Sequence, residues 1–115
     1  MAIERELGRE PEEQDHFKPG FDILSKHPIT GELVFIEVKG RVAGAPNVTV
    51  TRTEILTALN KPHSFILAIV SVAGGAAVQV CYVREPFGGS EEDFFDTTSV
   101  DYDWRRLFER GEVPR

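Results

Sequence analysis

The chain has 115 residues, a single cysteine and a formal net charge of -6, which suits one domain burying about two-thirds of its unfolded surface in one core. One thiol excludes an intramolecular disulfide framework. No apolar run reaches the roughly 18 residues of a membrane span, and the N-terminus lacks a basic-then-apolar secretion signal, so the chain reads as cytosolic with no membrane partner. The acidic balance excludes a grip on a polyanion by bulk charge alone. Acid clusters early (Glu10, Glu12, Glu13, Asp15) and late (Glu91, Glu92, Asp93, Asp96, Asp101, Asp103), whereas Lys39 to Lys61 is locally basic. A nucleic-acid contact would belong to that middle segment.

In chain order, residues 1 to 9 are good helix formers, with Ile3 and Leu7 on one stripe and Gly8 as a C-cap. Two turns are too short to be stable alone. The expectation is a helix docked tightly on a sheet, or a fragment cut from a longer chain. Glu4 and Glu6 are expected on a solvated face. Residues 10 to 19, polar and proline-bounded, read as a connecting loop carrying His16. Gly20 to Arg41 contains two apolar runs around Pro28-Ile29-Thr30-Gly31, the chemistry of a tight turn, and predicts a β-hairpin with His27 exposed beside the turn.

Beyond the hairpin, 43–46 is a small-residue loop and Val48 to Thr51 alternates as a third strand. Thr51 or Thr53 then caps a helix with Ile55, Leu56 and Leu59 on its buried face, ending before Pro62. Phe65 to Val72 is a continuous apolar run, as in a central strand covered on both faces. After Gly74-Gly75, Ala76 to Val83 returns as its hairpin partner. From Glu85 the pattern is acidic and loop-like until Asp103 to Phe108, a short helix whose Trp104, Leu107 and Phe108 pack on the core or else bind a partner. The order is α-β-β-β-α-β-β, an α/β class with a central mixed sheet flanked by helices. There are no internal repeats, no low-complexity tract, no phosphate-cradling glycine loop and no Cys/His set for zinc.

The hairpin carries the chemistry. With its loop centred on Ile29 and Thr30, Asp22 lies opposite Glu37, and Lys39 projects from the same face as Glu37. Two carboxylates and an ammonium then converge at one end of an otherwise apolar hairpin, which demands mutual pairing or a metal ion. The trio reads equally as a structural ion cluster or as a site. Gly20 and Gly40 permit close backbone approach there, or end the strands.

Gly20-Phe21-Asp22-Ile23 followed by Ile36-Glu37-Val38-Lys39-Gly40-Arg41 resembles the signature of the PD-(D/E)XK nuclease superfamily, and more narrowly the NO VEIN carboxy-terminal domain family, a Mrr-like, restriction-endonuclease-like group. Val48 to Glu54 is similar to that family's Thr-x-x-Glu segment opening a helix, and Phe65 to Val70 to its aliphatic strand; the resemblance spans roughly residues 3 to 84. It implies a restriction-endonuclease-like core within a single domain over 1–115, residues 85–115 forming an acidic loop and terminal helix. It also implies attachment to a larger helicase-like or restriction-system protein. The implied activity is Mg²⁺- or Mn²⁺-dependent hydrolysis of phosphodiester bonds in nucleic acid, with DNA the expected substrate. Asp22, Glu37 and the Val38 carbonyl would hold the metal, and Glu4 or Glu6 on the first helix would be the accessory acid.

Hard carboxylate oxygens suit Mg²⁺, which keeps waters in its shell. Beside two carboxylates Lys39 is expected to hold its proton, so charge stabilisation and water orientation suit it better than general-base work. Arg41, Thr51, Arg52 and Thr53 are candidate phosphate contacts, each equally readable as a surface or capping residue. Two further readings stand beside the enzyme: a catalytically silent nucleic-acid-binding or protein-interaction module appended to a helicase-like protein, and a structural domain that oligomerises through its tail.

Overall fold

The computed structural model describes residues 2–14, 20–42, 47–73, 76–88 and 98–115. His16, the loop at 43–46, the Gly74-Gly75 turn and the acidic run at 91–97 lie outside the described residues, and of Arg41 only the backbone is described. The elements are α1 (Ala2–Glu6), β1 (Glu10–Glu13), β2 (Ile23–Lys26), β3 (Leu33–Val42), β4 (Asn47–Thr51), α2 (Arg52–Asn60), β5 (Phe65–Ala73), β6 (Ala76–Arg84), β7 (Ser99–Asp103) and α3 (Trp104–Arg110).

Five strands form a mixed sheet in the order β1-β2-β3-β5-β6, all neighbours antiparallel except β3 and β5. The helices lie on its faces. Both expected hairpins are present, β2–β3 and β5–β6, and the first has the expected register: Ile23 faces Ile36, and Lys26 faces Leu33. Its turn is closed by the His27 N–H on the Glu32 carbonyl and the Gly31 N–H on the His27 carbonyl, with Gly31 at φ 74. His27 is half-buried rather than exposed, because its Nδ1 accepts the Ile29 and Thr30 N–H groups at 3.2 Å each.

Two further expectations change. Residues 10–13 form an edge strand, not a loop. Glu-Pro-Glu-Glu has little β preference, but β2 offers an unpaired edge, and an edge strand tolerates a proline that lacks one donor. The third expected strand, β4, leaves the main sheet and pairs antiparallel with β7, from Asn47 facing Asp103 to Thr51 facing Ser99.

The sheet separates two apolar clusters. On one face, Phe65, Leu67, Ile69 and Val83 pack against Ile55 and Ala58 of α2, Val48 and Val50 of β4, and Leu107 of α3; Trp104 and Phe108 close it, their rings stacked at 4.7 Å. The terminal helix is therefore core packing. On the other face, Val34, Ile36, Ile66, Ala68 and Tyr82 receive Ile3 and Leu7 of α1. That short helix ends as expected at Gly8, in the left-handed region at φ 84. The Arg9 and Gly8 N–H groups close its last turn on the Glu4 and Arg5 carbonyls, each at 3.0 Å.

Candidate active site

Strand alternation divides β3 between the two faces. Ile36 and Val38 go to the α1 cluster, so Glu37 and Lys39 project on the α2 face. α2 brings its first turn to them. Thr51 is the N-cap: its Oγ1 accepts the Glu54 N–H at 3.2 Å, and Glu54 Oε1 accepts the Thr51 N–H at 2.9 Å, a complete capping box. The same Glu54 carboxylate takes the Lys39 ammonium, with Nζ 3.0 Å from Oε1 and 3.2 Å from Oε2; Glu37 Oε1 is 3.5 Å from that nitrogen.

Glu37 is 4% exposed. Burial, then a hydrogen bond with Glu54 and the charges of Glu54 and Asp22, push its pKa up to about 9 against the smaller pull of Lys39. It therefore stands as an acid donating to the Glu54 carboxylate. Burial also pushes Glu54 up, but Glu37, the Thr51 N–H and Lys39 together hold it below the ordinary carboxylate range. Burial draws the Lys39 pKa down, and the two glutamates more than reverse it. The lysine is a fixed cation.

Asp22 sits at the rim. The ladder pairs Ile23 with Ile36, yet the Asp22 N–H also reaches the Ile36 carbonyl at 2.8 Å, so the register slips by one residue at the strand end. Its exposed carboxylate is turned to the Val38 N–H, which donates to Oδ2 at 2.9 Å. Asp22 thus lies beside Glu37 within electrostatic reach, not squarely over it as simple pairing predicts. A strand residue's N–H and C=O point the same way, so the Val38 carbonyl faces the Asp22 edge. Gly20, buried at φ 102, lets this segment run against α2: a Cβ there would meet Thr57 Oγ1 at 2.2 Å. Gly40 lies inside β3 and does not end the strand, and nothing is within 4 Å of an added Cβ there.

The other expected site residues divide. Arg52 and Thr53 are exposed on the first turn of α2 beside the Thr51 cap, with the Thr53 carbonyl accepting from Thr57 Oγ1 at 2.8 Å. Glu6 is exposed. Glu4 is not on a solvated face. It is 1% exposed, on the sheet face opposite Glu37, held by Arg9 and by the Tyr82 hydroxyl at 2.6 Å. It therefore cannot act as an accessory acid to the Glu37 side. Glu54 is the residue that site reading from the sequence missed; its signal was the Thr-x-x-Glu capping spacing, which local reasoning assigns to the helix end alone.

A family model described as Protein NO VEIN, C-terminal, matches residues 1–83. The chain belongs to the NO VEIN C-terminal family. The matched span runs from α1 through β6 up to Val83 and so contains the whole Asp22, Glu37, Lys39 and Glu54 arrangement; β7 and α3 lie beyond it. No curated protein sequence matches the chain.

Among the described residues, no group of three or more His, Cys, Asp or Glu side chains is set to hold a metal ion. What this member of the family offers a hard cation is smaller: the exposed Asp22 carboxylate, the Glu37 carboxyl beside it and the Val38 carbonyl at the same edge. These are all oxygen donors of the kind Mg²⁺ takes while keeping several waters. The donor chemistry fits, provided that Glu37 gives up the proton it now shares with Glu54.

Proposed function

We propose that this domain is a metal-dependent nuclease of the PD-(D/E)XK type, hydrolysing phosphodiester bonds in nucleic acid, with DNA as the first substrate to test. The observation that carries the reading is the juxtaposition of Asp22, Glu37 and Lys39 at one end of the β2–β3 hairpin, with the ammonium fixed 3.5 Å from Glu37. Asp22, Glu37 and the Val38 carbonyl would hold Mg²⁺ or Mn²⁺, which when bound supplies charge neutralisation at phosphorus and a water of lowered pKa. Lys39, permanently charged, stabilises negative charge on the scissile phosphate and orients the attacking water. Arg52 and Thr53, at the exposed start of α2, contact flanking phosphates, with Arg41 of β3 a further phosphate contact.

The acidic chain suits a domain that receives its substrate from an attached helicase-like or restriction module in the cytoplasm. The second reading, a silent nucleic-acid-binding module, is favoured by the mutual satisfaction of Glu37, Lys39 and Glu54. A supercoiled-plasmid nicking assay with Mg²⁺ or Mn²⁺ decides between them. Glu37→Ala and Lys39→Ala should each lower the rate by about two powers of ten, the scale of losing one positioned charge-stabilising group. Equal nicking by wild type and Glu37→Ala means contamination. A gel shift without nicking favours the binding module.

A further inference from the structure

A capping box needs one carboxylate oxygen on the N-cap N–H, and Glu54 Oε1 meets that need at 2.9 Å. The capping glutamate of a surface helix ordinarily leaves its other oxygen in water. Here the side chain is 13% exposed, and both oxygens lie against an ammonium from another element, 15 residues earlier in the chain. Lys39 is a flexible stem with three donors and no preferred direction of its own. Its two shortest polar contacts, 3.0 and 3.2 Å, are to Glu54, and the longest, 3.5 Å, is to Glu37. Glu54 therefore decides where the ammonium sits. The contact to Glu37 is the one that yields most readily to a phosphate oxygen.

We propose that Glu54 is a positioning residue for Lys39: one carboxylate both builds the start of α2 and aims the site lysine, so that the first turn of α2 and the β3 end of the site are set by a single group. This rests on the nuclease reading given above. It makes the geometry between Lys39 and the exposed Arg52–Thr53 turn a property of Glu54, since the helix can neither shift along its axis nor rotate without carrying the ammonium with it.

Glu54→Gln separates the two roles. Glutamine at this position still accepts the N-cap N–H, so the cap survives, but the Glu54 charge on Lys39 is gone and only the longer Glu37 contact remains. Two readouts are taken on the whole chain. The first is the rate of Lys39 acylation by acetic anhydride at fixed pH, read by peptide mass spectrometry, which needs no catalytic activity. The second is plasmid nicking with Mg²⁺. Ala58→Gly, which loosens the interior of α2 away from the site, is the control for a merely structural effect.

The expected result is several-fold faster labelling of Lys39 in Glu54→Gln, nicking reduced about tenfold or more with DNA binding retained, and a Tm close to wild type. Ala58→Gly should lower Tm while labelling and nicking stay at wild-type levels. Unchanged labelling in Glu54→Gln overturns the proposal, as does faster labelling with full nicking, or Ala58→Gly reproducing the labelling change. Faster labelling with no nicking by wild type supports Glu54 as the group that sets Lys39 and refutes the nuclease reading instead.

Discussion

Removing the Arg9 guanidinium should convert the most buried charge among the described residues from an asset into a liability. Glu4 is 1% exposed, and its carboxylate is held by Arg9 and by the Tyr82 hydroxyl at 2.6 Å; the Ser25 hydroxyl lies close by but makes no hydrogen bond of good geometry. Arg9→Met keeps the apolar stem and removes the cation. Breaking a buried pair from one side costs about 3–5 kcal/mol. The Arg9 side chain is 13% exposed, so solvent screens part of the interaction and about 3 kcal/mol is expected. At about 4 °C per kcal/mol for a domain of this size, Tm should fall by about 12 °C near pH 7.

The pH dependence gives the sharper test. Burial pushes the Glu4 pKa up, but Arg9 and Tyr82 hold it below its ordinary 4.5. Its contribution to stability is therefore fully present above pH 4.5 and lost as pH falls through the lowered folded value. Without Arg9 the burial effect is no longer outweighed and the folded pKa rises, so the variant keeps a proton that wild type releases. The Tm gap should narrow from pH 7 to pH 4 in scanning calorimetry. A gap that stays constant, or widens toward acid, would refute the reasoning, as would a variant within about 1 °C of wild type at pH 7.

Thr51→Ala removes the N-cap acceptor and should cost about 1 kcal/mol in urea unfolding; no change would mean that Glu54 alone holds the helix start. Gly20→Ala places a Cβ 2.2 Å from Thr57 Oγ1 at φ 102 and should destabilise by about 2 kcal/mol or more. Adding Thr57→Ala should recover the contact but not the backbone strain, so a double-mutant cycle showing no coupling would sink the close approach. Leu67→Ala, at 0% exposure in the central strand, should cost about 2–5 kcal/mol by denaturant titration. Added Mg²⁺ should raise the Tm of wild type and not of Asp22→Ala; an equal rise in both would place the ion elsewhere.

Local chemistry along the chain set most of the elements. Proline and glycine chemistry at 28–31 set the first hairpin and its register. Thr51, the Ile55 stripe and Pro62 set both ends of α2. The unbroken apolar run from Phe65 set a strand covered on both faces, as β5 is. These features depend on neighbours within a few residues, where periodicity and turn stereochemistry act directly. Asp22, Glu37 and Lys39 were legible for the same reason, since a hairpin's pairing follows from its loop.

Which strand edges met depended on long-range packing. β1 became a strand because β2 left an edge open, and β4 found β7 across a span of about fifty residues, pairings that no local pattern encodes. Glu4 looked like a solvated helix residue until Arg9 and Tyr82 closed over it. Glu54 looked like a cap until α2 folded against β3 and set its carboxylate on Lys39. A charge's role is fixed by what lies within a few ångströms of it: Tyr82 of β6 joins the neighbouring Arg9 on Glu4, and Lys39 of β3 meets Glu54.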